Sequence, residues 1–522
     1  MKVLLIGPYK NSSLRVGQFL APPNGIHRIA SFVRKKTGAQ VDVFDCDLDS
    51  VSMLEEKAVF ENYDIIGFSI LYPTIVNDAR LISRLKKLSP SSILAAGGQG
   101  AVFCEDFLFS STPLDVIVQG FGEFPFVEMV ESLKKDIPVY EQFKNIKGLF
   151  LKKGNGFVKT PPRDPYTFEQ FREISMAYDF SAIPYERYWK VMESTYSQEQ
   201  LEVMKNDGLL YTIRLITSSH CPMKCNFCSS TNFLDSAIGK YQCALMLPVD
   251  DIISLIRDAY ENHPGVKAIY LNDDNLFFGK ERAKKLCSEI ERNFSGFDLN
   301  FFCLSRLDNV DSELLKTMGR AGFKLVIYGA ESFSERLLKE MGKKIHFSSA
   351  SRSAEKVILE TVDAGVVPLL NLILFYPTTR IEDMEETIEK SITLVEKGAR
   401  INVYSYVEVY PGSSILQSKD LDFEYAHFEI DGKSYKLPWL IMPKNKEVFL
   451  LSKRAIEMRA GLIEEIKKKF NYTKDVPHPV HSLALFLAVY KILGKPTHRI
   501  DGVIDMLMKE AAKEKIAEKV IA

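Results

Sequence analysis

Three cysteines in the run Ser219-His220-Cys221-Pro222-Met223-Lys224-Cys225-Asn226-Phe227-Cys228 are the residues best placed to do chemistry. Their spacing, C-x3-C-x2-C, lets one short loop wrap a single inorganic centre, and thiolates are soft ligands suited to zinc or to iron–sulfur clusters. A four-iron cluster held by Cys221, Cys225 and Cys228 alone keeps one iron open to a substrate or cofactor. The competing arrangement is a zinc knot with His220 as the fourth ligand. Zinc knots usually pair short C-x2-C elements, and no second pair follows here. Cysteines 46, 104, 243, 287 and 303 are scattered, as buried thiols in a reducing compartment would be.

The elements that position this loop read as two successive α/β units. From residue 1 to about 140, short apolar runs (Val3–Ile6, Val41–Phe44, Ile65–Ile70, Ile93–Ala96, Val116–Val118) alternate with amphipathic helical patterns, the sequence form of a parallel sheet covered by helices. Five such strands match a flavodoxin-like, doubly wound (Rossmann-type) domain, whose ligands settle outside the carboxyl ends of the strands. Those ends carry Gly7-Pro8-Tyr9, Ser69 to Thr74, Gly97-Gly98-Gln99-Gly100 and Gly120-Phe121-Gly122-Glu123. Residues 141–205 read as a bridging linker with a hairpin turning at Gly154-Asn155-Gly156, followed by prolines and aromatics. From 206 to 418 the alternation resumes with strands at Thr212–Thr217, Ala268–Leu271, Leu299–Leu304, Leu325–Tyr328, Val366–Phe375 and Asn402–Val409, and Asp250 and Asp311 as helix caps. Six units predict a partial (β/α)6 TIM-type barrel, with reactive groups at the C-terminal strand ends. Residues 419–522 read as mainly helical.

A chain of 522 residues, 46% hydrophobic and 26% charged, is expected to form two or three domains with sizeable cores. Its formal charge of −1 argues against a dominant electrostatic grip on nucleic acid. The N-terminal apolar run is too short for a signal peptide and no segment reads as a membrane span, so the expectation is a cytoplasmic protein.

With Phe227 before the last cysteine, the motif resembles that of the radical S-adenosylmethionine (radical SAM) enzymes. The fourth barrel unit, Gly329-Ala330-Glu331-Ser332 followed by Leu337-Leu338-Lys339-Glu340-Met341-Gly342-Lys343, is similar to the family's G-x-E-S…L…M-G-K run. The front loops, with Pro22-Pro23-Asn24-Gly25, Gly97-Gly98 and Gly120-Phe121-Gly122-Glu123, resemble the cobalamin-binding domain of one large radical SAM class, although Phe121 replaces its usual glutamate. The resemblance implies a [4Fe-4S] cluster on Cys221, Cys225 and Cys228, and S-adenosylmethionine contacts from Phe227, Asn272, Asp273, Asp274, Arg306 and Glu331. For Asp273 and Asp274 a solvated acidic turn is the alternative, and for Arg306 a salt bridge on the barrel rim. It further implies cobalamin held by Gly7, Pro8, Tyr9, Ser69, Tyr72, Gly97, Gly98, Gln99, Gly120, Gly122 and Glu123. No Asp-x-His-x-x-Gly motif occurs, so the cofactor would be base-off with no protein histidine on cobalt. Tyr72 would lie beneath the cobalt or pack in the core.

The implied activity is methylation of an unactivated carbon of a small molecule, with the methyl group carried by cobalamin and hydrogen removed by the 5′-deoxyadenosyl radical. An oxidative cyclase or rearrangement enzyme and a non-catalytic cobalamin or cluster sensor are the alternatives. An electron donor such as flavodoxin or ferredoxin is the expected partner. Tyr328, Tyr376, Tyr406 and Glu408 are candidate walls of the substrate pocket.

Overall fold

The computed structural model describes all residues except 11–19, 135–136, 197–200, 202–203, 206–209, 231–232, 236–238, 240–241, 346–352, 473–475 and 522, and the side chains of 512–521. The expected boundary between residues 205 and 206 abuts residues that lie outside that description.

Strict alternation along the first strand buries both faces of a parallel sheet. Val3 and Leu5 pack with Ala30, Val33 and Phe126 on one side, and Leu4 and Ile6 with Leu54, Ala79 and Ile82 on the other. Strands β1 (Lys2–Ile6), β2 (Gln40–Phe44), β3 (Ile65–Ser69), β4 (Ile93–Gly97) and β5 (Val116–Val118) run in the order β2-β1-β3-β4-β5, the flavodoxin-like arrangement. The hairpin expected in the linker is part of this sheet. Strands β6 (Leu149–Lys153) and β7 (Gly156–Lys159) extend it, with β6 antiparallel to β5 and Phe150 opposite Ile117. An edge strand as apolar as β5 is otherwise an open template for pairing, so the first unit continues to Lys159.

The bridge then crosses to the second unit through buried aromatics. Tyr188, on the helix Tyr185–Thr195, donates to Asp45 Oδ2 at 2.6 Å. Six parallel strands follow: β8 (Thr212–Leu215), β9 (Ala268–Leu271), β10 (Asn300–Ser305), β11 (Phe323–Glu331), β12 (Val367–Phe375) and β13 (Arg400–Glu408). Their outer residues, among them Ile213, Leu271, Val326, Leu372 and Ile401, share one core with the surrounding helices. Asp311 caps the helix Ser312–Arg320 through Leu314 N, whereas Asp250 lies inside the first turn of Val249–Asn262, which Pro248 precedes.

The C-terminal region opens with strands before its helices. Strands β14 (Phe423–Ile430) and β15 (Lys433–Ile441) form a hairpin, and β15 pairs antiparallel with β13. The turn is Asp431-Gly432, both at positive φ (46° and 77°), a two-residue geometry that these residue types favour. Helices Lys446–Lys469, His478–Ile492 and His498–Ile521 complete the chain. Among the described residues no helix is long and apolar enough to cross a membrane.

Candidate active site

The cysteine loop leaves the carboxyl end of β8 and is pinned there by one buried carboxylate. Asp273 Oδ1 accepts from Thr217 N at 2.8 Å and from the backbone and hydroxyl of Ser218, and its Oδ2 accepts from Thr217 Oγ1 at 2.8 Å. This carboxylate is fully engaged, so it acts on the loop; the expected S-adenosylmethionine contact at Asp273 is corrected on that ground. Asp274, its exposed neighbour, faces the cysteines. It accepts from Ser230 Oγ, which in turn accepts from Cys221 N at 3.1 Å. Asn272 joins only by its backbone, donating to Leu215 O at 2.7 Å.

The far side of the loop is tied to the fourth barrel unit. Asn226 N donates to Met341 O at 2.9 Å, Asn226 Nδ2 to Glu340 O at 2.8 Å, and Tyr376 OH to Asn226 Oδ1 at 2.9 Å. Gly342, at φ 66°, brings a backbone without a side chain against the loop, where a Cβ would stand 3.3 Å from Lys224 O. Phe227 packs on Tyr72, Leu337, Met341 and Tyr376. The M-G-K run is therefore the bed on which the cysteines lie.

The thiols are desolvated, which pushes Cys221 up to about 11, Cys228 up to about 12 and Cys225 upward, while Lys343 and Arg306 act on Cys225 in the opposite sense. Buried thiols beside cations suit a metal centre that takes them as thiolates. His220 is unsuited to serve as a fourth ligand, because Nδ1 meets Ser219 Oγ at 2.8 Å and Nε2 meets Gln242 O at 3.1 Å. Among the described residues no three His, Cys, Asp or Glu groups converge on a single-ion site. A cubane, which places three thiolates on three different irons, asks for a wider spacing.

Glu331 lies at the end of β11 beyond a register shift, with φ 62°. Its Oε1 accepts from Lys343 Nζ at 2.9 Å. The pair lies against Gly329, where a Cβ would stand 2.6 Å from Glu331 Oε1 and 2.9 Å from Lys343 Nζ and would push both side-chain ends aside. Arg306 forks onto Asp308 at 2.9 and 3.0 Å and also meets Lys344 O. Cys221 and Cys225 both feel its charge.

The carboxyl edge of the first sheet faces this assembly. Gln99 Nε2 donates to Pro411 O at 3.2 Å after β13, and the Phe103 and Phe233 rings meet edge to face with centroids 5.9 Å apart. Gly98 and Gly100 are required by close packing within this edge: a Cβ would stand 2.7 Å from Ile70 O and 2.6 Å from Leu71 C, respectively. At Gly97 a Cβ would make only ordinary contact with Val118, at 3.9 Å. The chain itself does not demand glycine there, and a ligand lying on this strand end supplies a reason. Ser69 and Gly97 are register partners at the edge. The buried Gly7 and Pro8 lead to Tyr9, whose N–H donates to Asp78 Oδ1 at 2.8 Å. Gly120, at φ 75°, and Gly122, beneath Ile29, lead to Glu123, which pairs with Arg28 at 2.6 Å.

Tyr72 departs from the expectation of a residue beneath cobalt. It is 3% exposed, stacks on Trp439 with centroids 6.1 Å apart, and donates its hydroxyl to Pro438 O. The residue this loop presents is Leu71, which is 41% exposed.

Two of the four expected pocket walls, Tyr328 and Tyr406, face elsewhere, while Tyr376 stands against the cysteine loop. Tyr328 OH meets Thr361 Oγ1 at 3.1 Å on the helix side of the barrel, Tyr406 OH meets Ser452 Oγ at 2.8 Å on the C-terminal helix, and Tyr376 serves Asn226. Glu408 is exposed and accepts from Tyr410 OH at 2.7 Å. Missed were Tyr404, which feels Glu331 and Glu408, and Tyr410, which feels Cys228. Also missed were Asn226 and Lys343, although both stand inside recognised runs.

The fold and the cysteine loop together define a radical SAM protein with a cobalamin-type front domain. A family model described as B12 binding domain matches residues 14–130 and one described as Radical SAM superfamily matches residues 215–390; the chain belongs with the cobalamin-binding radical SAM proteins. Among relatives, an uncharacterized methyltransferase, PH0819, of Pyrococcus horikoshii is 26% identical over 426 residues, covering 80% of this chain and 83% of that protein. The cytidylyl-2-hydroxyethylphosphonate methyltransferase of Streptomyces wedmorensis is 25% identical over 299 residues, covering 54% and 52%. Among solved structures, the radical S-adenosylmethionine methyltransferase TsrM of Kitasatospora setae, with cobalamin and a [4Fe-4S] cluster bound, superposes with a TM-score of 0.66 at 13% identity, covering 98% of this chain and 99% of that one. The cobalamin-dependent radical enzyme OxsB, with aqua-cobalamin and S-adenosylmethionine bound, gives 0.65 at 16% identity, covering 100% and 81%. At these identities the likeness is one of fold.

Proposed function

We propose that this protein is a cobalamin-dependent radical SAM methylase that transfers a methyl group to an unactivated carbon of a small-molecule substrate. The observation that carries the reading is the apposition of two strand-end regions: Phe103, from the front domain, meets Phe233, just beyond the cysteine loop, with ring centroids 5.9 Å apart, and Tyr72 belongs to the apolar cluster against which Phe227 packs. When bound, the cluster with S-adenosylmethionine supplies hydrogen abstraction and cobalamin carries the methyl group. The methyltransferase descriptions of the two curated relatives support the same direction.

The chain's own residues would bind, orient and exclude water. Cys221, Cys225 and Cys228 hold the cluster, and Asp273 and Asn226 fix their loop from opposite sides. Asp274 and Glu331 offer acceptors to the ammonium and ribose of S-adenosylmethionine, Arg306 a cation to its carboxylate, and Phe227 an apolar contact. Asn272 contributes its side chain at the same rim. The strand ends Gly7, Pro8, Tyr9, Ser69, Gly97, Gly98, Gln99, Gly120, Gly122 and Glu123 would hold cobalamin, with no histidine offered to its cobalt, and the exposed aliphatic Leu71 would give it an apolar contact. An external one-electron donor, of the flavodoxin or ferredoxin kind, completes the system.

The test is anaerobic reconstitution with iron, sulfide and cobalamin, then addition of reductant and S-adenosylmethionine. Wild type should form 5′-deoxyadenosine and, with a substrate present, S-adenosylhomocysteine, whereas Cys221→Ala should lose the nucleoside. Nucleoside without S-adenosylhomocysteine across a panel of methyl acceptors would overturn the methylase assignment. Zinc in place of a cluster would overturn the whole reading.

A further inference from the structure

Among the described residues, an arginine on the first barrel strand has no ion-pair partner. Arg214 is the central residue of β8, and its neighbours Ile213 and Leu215 are buried against the helices. Alternation turns Arg214 to the concave side, in register with Tyr270 of β9, itself in register with Phe302 of β10. The guanidinium carbon lies 5.9 Å from the centroid of the Tyr270 ring. Three other arginines at the strand ends and on the surrounding helices are ion-paired, Arg306 with Asp308, Arg336 with Asp383 and Arg320 with Glu291, while Arg257 and Arg282 are satisfied by neutral oxygens of Asn293, Leu247, Leu276 and Thr217. Among the described residues Arg214 has no such partner. The groups it feels are the phenols of Tyr270 and Tyr185, and burial pushes its pKa downward. Arg214 is half-buried, and a cation partly withdrawn from water without an anion is costly, so sites that keep one usually do so for a ligand.

Its surroundings indicate which ligand. Tyr270, in register with Arg214 on the neighbouring strand, is also within electrostatic reach of Tyr404 and Asp274, so phenols share the concave face with the arginine. Arg214 is not among the groups that act on Cys221, Cys225 or Cys228, whereas Arg306 acts on the first two. That separates it from the cation positioned for the carboxylate of S-adenosylmethionine. We propose that Arg214, with the hydroxyls of Tyr270 and Tyr404, is the anchor for an oxyanion of the substrate, a carboxylate or a phosphonate, which holds the rest of that molecule toward the cysteine loop. The forked guanidinium matches either group with two parallel hydrogen bonds. The inference rests on the proposed location of the active site at this barrel mouth.

The experiment is calorimetric titration of the reconstituted holoprotein with benzoate, benzylphosphonate and the neutral benzamide at constant ionic strength. At least one oxyanion should bind saturably and benzamide should not; the stronger of the two anions identifies the group. Arg214→Gln should weaken that binding roughly tenfold to hundredfold with iron content and cobalamin absorbance unchanged, and Tyr270→Phe should weaken it less. If Arg214→Gln does not fold, Arg214→Lys decides, because it keeps the charge and loses the fork: weaker binding supports the anchor and equal binding overturns it. Oxyanion binding that is absent in wild type, or unchanged in Arg214→Gln, overturns the inference, as does a variant that loses S-adenosylmethionine binding and keeps the oxyanion. None of these readouts needs methyl transfer, so a failed product assay would strike the function and leave the anchor standing.

Discussion

At the scale of single residues, the Glu331–Lys343 pair is the sharpest test of the site, because both partners are less than a tenth exposed and the pair lies in the space that a side chain at residue 329 would enter. Removing one member of a buried ion pair strands the other, at a cost of about 3 kcal/mol, whereas removing both together costs far less. Lys343→Met should therefore destabilise the apoprotein by about 3 kcal/mol in urea unfolding, and Lys343→Met with Glu331→Gln should recover most of that loss. Additive losses would mean that the contact carries no coupling. Glu331 was legible from the G-x-E-S run, but its partner was not, since sequence spacing does not say which cation a bulged strand end will meet. Tyr328 and Tyr406 show the complementary error. Both were placed by their distance along a strand, and a one-residue step turns a side chain to the opposite face. Counting parity outward from the apolar Ile213 and Leu215 would have selected Arg214, whereas on β13 Tyr404 and Tyr406 have the same parity and only the packing of Tyr406 with Ile401 separates them.

Among elements, the loops after β1 and β3 are held together by one carboxylate on the helix Ile75–Leu88. Asp78 accepts from Tyr9 N at 2.8 Å and from Thr74 Oγ1 at 2.6 Å. Complete burial pushes it up to about 7 from an ordinary 3.8. The folded state therefore holds this proton more tightly than the unfolded chain, and stability contributed here falls as pH rises from about 4 to about 7, then levels off. Over that window the loss is on the order of 4 kcal/mol. Asp78→Asn should flatten that segment of the stability-versus-pH curve of the front domain, followed by urea midpoints at pH 5 and pH 8; an unchanged slope would remove Asp78 as its source. The parallel strands of both sheets were legible because βα alternation writes a buried strand as a short apolar run. The two hairpins were legible only in part. The turn at Gly154-Asn155 was visible, but not that its strands would cover the edge of β5. Asp431-Gly432, flanked by the alternating Phe423–Ile430 and Lys433–Ile441, carried a strong turn signal that the expectation of helices overrode.

For the molecule as a whole, that second hairpin is one of the joints between the two halves. It extends the barrel sheet through β13, yet its outer end packs on the front domain: Phe107 meets Phe428 and Tyr435 edge to face at 5.8 and 5.3 Å, Ile430 enters the apolar layer beside Leu54 and Ile82, and Arg80 donates to Glu429 O at 2.9 Å. At its inner end Trp439 covers Tyr72, immediately after Leu71. The hairpin therefore adds to the bridge helix, the Gln99–Pro411 hydrogen bond and the Phe103–Phe233 contact in holding the front-domain loops against the cysteine loop. Each edge-to-face pair is worth about 1 kcal/mol beyond the area it buries, so replacing both Phe428 and Tyr435 with serine should weaken the seat by roughly 2–4 kcal/mol. In the wild type the two halves should melt in one calorimetric transition. In the double variant the front domain should separate as an earlier transition, and cobalamin retained through gel filtration should fall while iron bound at the cysteine loop stays at the wild-type level, since Asp273 and Asn226 hold that loop from within the barrel. A single transition with full cobalamin retention would show that the bridge aromatics alone hold the halves together; loss of iron with the cobalamin would show that the cysteine loop depends on the front domain for its shape.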